Sequence, residues 1–199
     1  KEGQKVMADH LTIIDDGTLD GGSGSGTRDG EGTPTSRNTL IESGILRTGI
    51  WSTRDAAEQV EKGNIEFAES TGNAGRGGHQ SPPGTSMNNL LLSSTAKQES
   101  REKLIEEMDE GFVVQSVMGA HTANPSSGDF SVTSSSILKV EGGCVVGALK
   151  QAGISGNLPS AFSDEVSLAR MQGVNAMWAG GSIIIPDIML RQGIRVNPS

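Results

Sequence analysis

Residues 111–158 read GFVVQSVMGAHTANPSSGDFSVTSSSILKVEGGCVVGALKQAGISGNL, and this stretch decides the fold class. An apolar run, Phe112–Met118, leads into a polar turn at Ala123–Gly128. Apolar and polar residues then alternate from Phe130 to Val140, the period of a half-buried strand. Gly142-Gly143 supplies a tight reversal, and Cys144–Leu149 returns. Successive strands joined by short turns make an antiparallel meander. The predicted class is α+β: mainly antiparallel sheet, meander or barrel-like, with a few short helices.

The flanking sequence fits that class. Lys1–Met7 reads as a frayed start. Leu11–Ile14 reads as a short strand stopped by Asp15-Asp16-Gly17, and Thr18–Gly32 as a mobile glycine-rich loop. Arg37–Glu42 and Ile45–Trp51 form a hairpin about Ser43-Gly44. Over Ala56–Glu69, the residues Ala56, Val60 and Phe67 share one helical face that Gly63-Asn64 interrupts. Ser70–Ser86 is a loop and Met87–Leu92 a short strand. Ser100–Asp109 is the clearest helix: Ser100 caps it, Leu104, Ile105 and Met108 make its apolar stripe, and Gly111 closes it. A second helix is expected over Pro159–Met171, with Phe162, Val166 and Ala169 inward. Ser182–Ile185 and Ile188–Arg195 are the last strands, separated by Pro186.

With 199 residues the chain can bury one core, and a single domain spanning 1–199 is expected. It opens on Lys1 and so reads as a fragment or processed piece of something longer. Sixteen basic residues are scattered among 24 acidic ones, for a net charge of −8. A nucleic-acid surface needs clustered cations, so no nucleic-acid partner is expected. One cysteine allows no intrachain disulfide, and no apolar run approaches membrane-spanning length. A soluble, cytoplasmic protein is the expectation.

Candidates for chemistry are few. His10, His79 and His121 are dispersed, none precedes a Glu, and each reads as a surface or loop residue. Cys144 has no basic residue beside it in sequence and reads as a small buried hydrophobe. No Gly-x-Ser-x-Gly elbow is present, and Gly72–Gly78 lacks the Gly-Lys-Ser/Thr ending of a phosphate loop. Asp15-Asp16 and Asp29/Glu31 read as turn residues and solvated acids. Asp129 carries two readings. In the simpler one it is an Asx-turn opening the strand. In the other, Ser131–Ser136 lines a groove where an extended peptide adds as a strand. Ser131, Thr133 and Ser135 alternate on one face; Phe130, Val132, Leu138 and Val140 take the other, where Ser134 and Ser136 also fall.

Several short steps carry a resemblance. They are Asp29-Gly30-Glu31-Gly32-Thr33-Pro34, then Gly44-Ile45-Leu46, then Ser70-Thr71-Gly72-Asn73-Ala74-Gly75. Met118-Gly119, Gly128-Asp129-Phe130-Ser131, Glu141-Gly142-Gly143 and Ile154-Ser155-Gly156-Asn157-Leu158 follow. Their order resembles the C-terminal domain of the TldD/PmbA family, long called modulators of DNA gyrase and understood as subunits of a zinc metallopeptidase. In catalytic members a His-Glu-x-x-x-His helix lies upstream of this domain, and a late cysteine completes the zinc site. The matching position falls near Gly180, and no cysteine follows Cys144.

The resemblance therefore implies a non-catalytic, PmbA (TldE)-like subunit. It implies no catalytic residue, metal ligand or cofactor in this chain, with zinc held by a TldD-like partner. Dimers with that partner or with self are expected, acting on peptides or unfolded proteins. Asp129, Ser131, Thr133 and Ser135 are the candidate peptide or partner surface. Two rivals stand beside this reading: the C-terminal piece of a catalytic TldD-like zinc peptidase whose metal-binding helix is missing, and a non-enzymatic Gly/Ser-rich β binding module.

Overall fold

A computed structural model describes residues 2–170, 176–178 and 181–198. In chain order the first strands are β1 (Leu11–Asp16), β2 (Arg37–Glu42), β3 (Ile45–Leu46), β4 (Ala74–Gly75), β5 (Gly84–Thr85) and β6 (Asn89–Ser94). Then come β7 (Glu110–Met118), β8 (Asp129–Glu141), β9 (Cys144–Leu149), β10 (Ala152–Asn157) and β11 (Val166–Leu168). The last are β12 (Ala176–Trp178), β13 (Gly181–Ile184), β14 (Ile188–Leu190) and β15 (Ile194–Pro198). Helices α1 (Thr53–Glu61), α2 (Arg101–Glu106) and α3 (Leu158–Ala161) are short, and Ala120–Thr122 is a single 3-10 turn. This is the α+β, antiparallel-rich class the sequence predicts.

The chain divides into two compact units. The first holds Lys1–Lys5, His10–Thr95 and Met171–Pro186; the second holds Val6–Asp9, Ala96–Arg170 and Asp187–Ser199.

The first unit is a six-stranded sheet in the order β12-β13-β6-β1-β2-β3, antiparallel except where β13 runs beside β6. Leu11 and Ile14 of β1 are buried, as is Leu92 of β6. Asp15 and Asp16 do not stop the strand. They extend it, opposite Asn38 and Arg37 of β2. The start is not frayed either: Lys5 bridges to Ile45, and Gly3 N donates to the Leu46 carbonyl. Helix α1 begins at Ser52, whose hydroxyl accepts from Asp55 N at 3.1 Å. It ends before Gly63-Asn64, so Phe67 lies outside it and is 74% exposed.

In the second unit the sheet order is β15-β10-β8-β7, and β9 also pairs with β8. β8 is the long central strand. β7 and β9 flank its second half, and β10 flanks its first half. The β8–β9 hairpin turns at Gly142 and Gly143, with φ of +55° and +74°, where a side chain would be strained. Val132, Ile137, Ala152 and Ile154 form the core, with Phe112, Phe130, Leu149, Ile194 and Val196 packed against it.

Strict alternation along β8 does not hold. Val132 and Ile137 share one core although they lie five positions apart in the chain. The β7–β8 register shifts beside Ser116, and the Ser134 hydroxyl accepts from Ser136 N at 3.2 Å. Such an irregularity exchanges inward and outward positions partway along a strand.

Two helices differ from expectation. Ser100 does cap α2, accepting from Lys103 N at 3.2 Å, but α2 ends at Glu106 and Gly111 belongs to β7. The hairpin turn explains the early end. Gly143 N and Gly142 N donate to the carbonyls of Met108 and Asp109 and draw the chain out of the helix. The helix expected over Pro159–Met171 reduces to α3. Beyond it Val166–Leu168 is a strand that pairs with β14 and buries Val166 and Leu168. The expected Ile188–Arg195 strand is likewise divided into β14 and β15.

Candidate functional site

Each unit carries one polar assembly. In the first, β1 ends on Asp15, which is fully buried. Its Oδ1 accepts from Asn88 N at 2.7 Å. Its Oδ2 accepts from Asn73 Nδ2 at 2.6 Å and from Asn88 Nδ2 at 3.2 Å. Asn73 is fixed in turn. Its Oδ1 accepts from Thr71 Oγ1 at 2.7 Å and from Asn38 Nδ2 at 3.2 Å. Burial pushes the Asp15 carboxyl above its ordinary pKa, and the Asn73 and Asn88 hydrogen bonds oppose that rise. Asp16 is also buried and pairs with Arg37 at 3.3 Å. The expectation that both are solvated turn acids is corrected in part: both are buried and the partners of Asp15 lie far off in the chain, but Asp16 Oδ1 also accepts from Thr18 N at 2.9 Å, which is the expected turn role.

The glycine-rich loop is tied down as well. Asn89 Oδ1 accepts from Gly24 N at 3.0 Å and from Ser182 N at 3.2 Å, while Ser182 Oγ accepts from Ser23 N at 3.0 Å. Glycine serves close approach here: a Cβ on Gly24 would lie 2.4 Å from the Asn88 carbonyl oxygen, and one on Gly181 only 1.8 Å from it. Farther along, Asp29 Oδ1 accepts from Glu31 N and Thr33 N, both at 2.9 Å, which is the expected turn role. Asp29 Oδ2 also accepts from Ala74 N at 3.0 Å, and Gly30 N donates to the Ala74 carbonyl at 2.7 Å. Two of the sequence steps, residues 29–34 and 70–75, therefore meet in space. Arg76 closes the junction, with Nε donating to the Gly30 carbonyl at 2.6 Å.

The second assembly is the outer face of the second unit's sheet. Asp129 Oδ2 accepts from Ser127 Oγ at 2.7 Å and Asp129 Oδ1 from Asn157 Nδ2 at 2.8 Å. Those bonds, Ser127 first, hold the exposed Asp129 carboxyl below the usual carboxylate range. Ser131 and Ser135 are exposed and Thr133 is half-buried. Ser134 is fully buried and Ser136 half-buried. Strand addition along Ser131–Ser136 is closed off. β10 pairs with Asp129–Ser134 on one side, and β7 pairs with Thr133 and Ser136 on the other. What this face offers is side chains, not backbone. Its register adds residues that sequence reading missed: Ser155 lies opposite Ser131, and Arg195 lies opposite Ser155.

The other candidates stay apart. His79 and His121 are exposed, and His10 is half-buried in a turn. Cys144 is exposed and not buried, because it opens β9, which pairs on one side only. Gly72–Gly78 leads into the small β4–β5 hairpin, and Gly72, Asn73 and Ala74 are buried. Among the described residues no three His, Cys, Asp or Glu side chains come together as a metal site. Gly180 lies outside the described residues.

The profile of the PmbA/TldA metallopeptidase C-terminal domain matches residues 1–196, and the chain belongs to that family. An uncharacterized protein of Methanocaldococcus jannaschii is 30% identical over 191 residues, covering 96% of this chain and 41% of that protein. A protein of Buchnera aphidicola named Metalloprotease TldD homolog is 31% identical over 156 residues, covering 78% of this chain and 30% of its own length. The crystal structure of TldE from Thermococcus kodakarensis superposes with a TM-score of 0.80 at 26% identity, covering 99% of this chain and 42% of that one. The chain thus spans less than half the length of these relatives.

Proposed function

We propose that this chain is the C-terminal domain of a non-catalytic, PmbA (TldE)-like subunit of a TldD/PmbA metallopeptidase acting on peptides or unfolded proteins. The observation that carries this reading is in the sequence: no cysteine follows Cys144, and Gly180 falls near the position of the family's late zinc-binding cysteine. The likeness to a chain named TldE supports it. In this reading a TldD-like partner would hold the zinc, which would supply an activated water for hydrolysis of a peptide bond. The present subunit contributes an assembly and substrate surface within a dimer. The net charge of −8 argues against nucleic acid as the partner. Among the described residues no helix is long and apolar enough to cross a membrane. With a single cysteine and no intrachain disulfide, the proposed location is the cytoplasm.

A second reading has its own support. The Buchnera relative is named a TldD homolog, which favours a catalytic subunit whose metal-binding helix lies elsewhere in the protein. Zinc content and peptidase activity of the full-length protein, with and without a co-expressed TldD-like subunit, separate the two. The expected result is zinc and cleavage only with the partner. Stoichiometric zinc and cleavage by the protein alone would move the assignment to a catalytic subunit.

A further inference from the structure

We infer that the outer face of the second unit's sheet is a carboxylate-binding site centred on Arg195, and that it receives the carboxylate of an extended peptide. The inference rests on the reading above in one respect, that peptides are the substrate class.

The register builds the site. Ser131, Ser155 and Arg195 lie directly opposite one another on three neighbouring strands, so they form one row on one face. Opposed side chains of adjacent strands stand about 5 Å apart, so the Ser155 hydroxyl flanks Arg195 and the Ser131 hydroxyl lies one strand farther along the row, about 10 Å from Arg195. The next row on this face is Thr133, Gly153 and Asn197. A Cβ on Gly153 would meet nothing within 4 Å, so the middle of that row is open. A shallow cleft of about 430 Å³ adjoins the site, lined in part by Ser155, Asn157, Gly193 and Arg195. The opposite face holds Val132 and Ile154 in the core, which fixes the rows to the outside.

Charge selects the occupant. Several cations elsewhere in this unit are paired with acids: Arg101 with Asp187, Arg191 with Glu107, Lys103 with Glu106 and Lys139 with Glu141, whereas Lys150 and Arg170 share with Arg195 the lack of an ion pair among the described residues. The Arg195 side chain has neither an ion pair nor a hydrogen bond among the described residues, and neither row contains an acid. The nearest acid along this face, Asp129, is already held by Ser127 and Asn157. An arginine is always charged and presents a planar fork that matches a carboxylate with two parallel hydrogen bonds. Ser131 and Ser155 add hydroxyl donors, and Asn197 adds an amide. A peptide offers this chemistry from two sources, its C-terminus or an Asp or Glu side chain.

The test is equilibrium binding to the full chain, read by fluorescence anisotropy. Three labelled octapeptides of otherwise identical neutral sequence are compared: one with a free C-terminus, its C-amidated twin, and the amidated twin carrying one Asp. The expected result is that the amidated neutral peptide binds at least about tenfold more weakly than a carboxylate-bearing one. The arm that retains affinity identifies the source. Arg195→Gln should remove that advantage and leave the amidated peptide unchanged, with Arg195→Lys in between. Equal binding of all three peptides by the unmodified protein would overturn the inference, and needs no variant. So would a folded Arg195→Gln protein that retains the preference. Carboxylate-dependent binding without cleavage by the reconstituted pair would sink the subunit reading and leave this site standing. Cleavage indifferent to carboxylates and to Arg195→Gln would do the reverse.

Discussion

Asp15 in the first unit and Ser131, Ser155 and Arg195 in the second are all polar, yet their surroundings are opposite. Each Asp15 oxygen accepts an amide donor inside the unit, and no polar side-chain atom buried among the described residues lacks a partner. The outer face of the second unit's sheet holds polar side chains with no partner among the described residues. The difference separates two uses of polarity. A buried polar group without a partner costs about 1–3 kcal/mol, so the first unit's network specifies how its chain segments join. A solvated row carries no such cost and keeps its hydrogen-bonding capacity for something outside the unit. Substitutions in the two regions should therefore report different quantities: stability in the first, binding in the second.

The sharpest break in that comparison is Asp15→Leu. It leaves the donors of Asn73 and Asn88 facing an apolar side chain, and a loss of about 3–5 kcal/mol in urea denaturation is expected. A loss below about 1 kcal/mol would mean that Asp15 is not a structural centre.

The two aspartates also predict opposite pH dependence. Burial raises the folded pKa of Asp15 above its unfolded value. Its stabilising contribution is then complete below the unfolded pKa and is lost as pH rises through the folded one. Asp129 is the reverse. Ser127 and Asn157 lower its folded pKa, so its contribution is present above the unfolded value and lost as pH falls through the folded one. Stability measured across the acid range should change slope in opposite directions for Asp15→Asn and Asp129→Asn. Slopes that change in the same direction would remove the distinction.

Thr133→Arg tests the second region. Thr133 is half-buried beside open space at Gly153, so the long side chain should fit and shift stability by less than about 0.5 kcal/mol. Assembly with a TldD-like subunit, or cleavage by the reconstituted pair, should weaken. Unfolding would show that this face is buried, and unchanged assembly and cleavage would place the functional surface elsewhere. The smallest expected effect is at Cys144. It is exposed, so a thiol reagent should label it stoichiometrically in the native protein without shifting the unfolding midpoint. Labelling only after denaturation would contradict its place at the start of β9.

Much of the fold was legible because its signals are local. The β8–β9 hairpin follows from the apolar-rich runs on both sides of Gly142-Gly143, and the start of α2 follows Ser100. Less of the candidate site was legible. Asp129, Ser131 and Thr133 were found from period-two patterning, which says which side chains share a face. It cannot say which strand lies next to them, so Ser155 and Arg195 went unseen until the register was known.

By itself, the sequence determined the antiparallel-rich class, the meander, the hairpin turns, the helix start at Ser100 and the excess of acids, all properties of residues within a few positions of each other or of bulk composition. Only tertiary structure decided whether Asp15 is a solvated turn acid or a buried one, because its partners Asn73 and Asn88 lie 58 and 73 positions away. It likewise decided that the glycines at positions 24 and 181 serve close approach to the Asn88 carbonyl. It made Val166–Leu168 a strand because β14 supplies a hydrogen-bonding edge. In each case the deciding free energy comes from a group brought close by the fold, and no local pattern records its arrival.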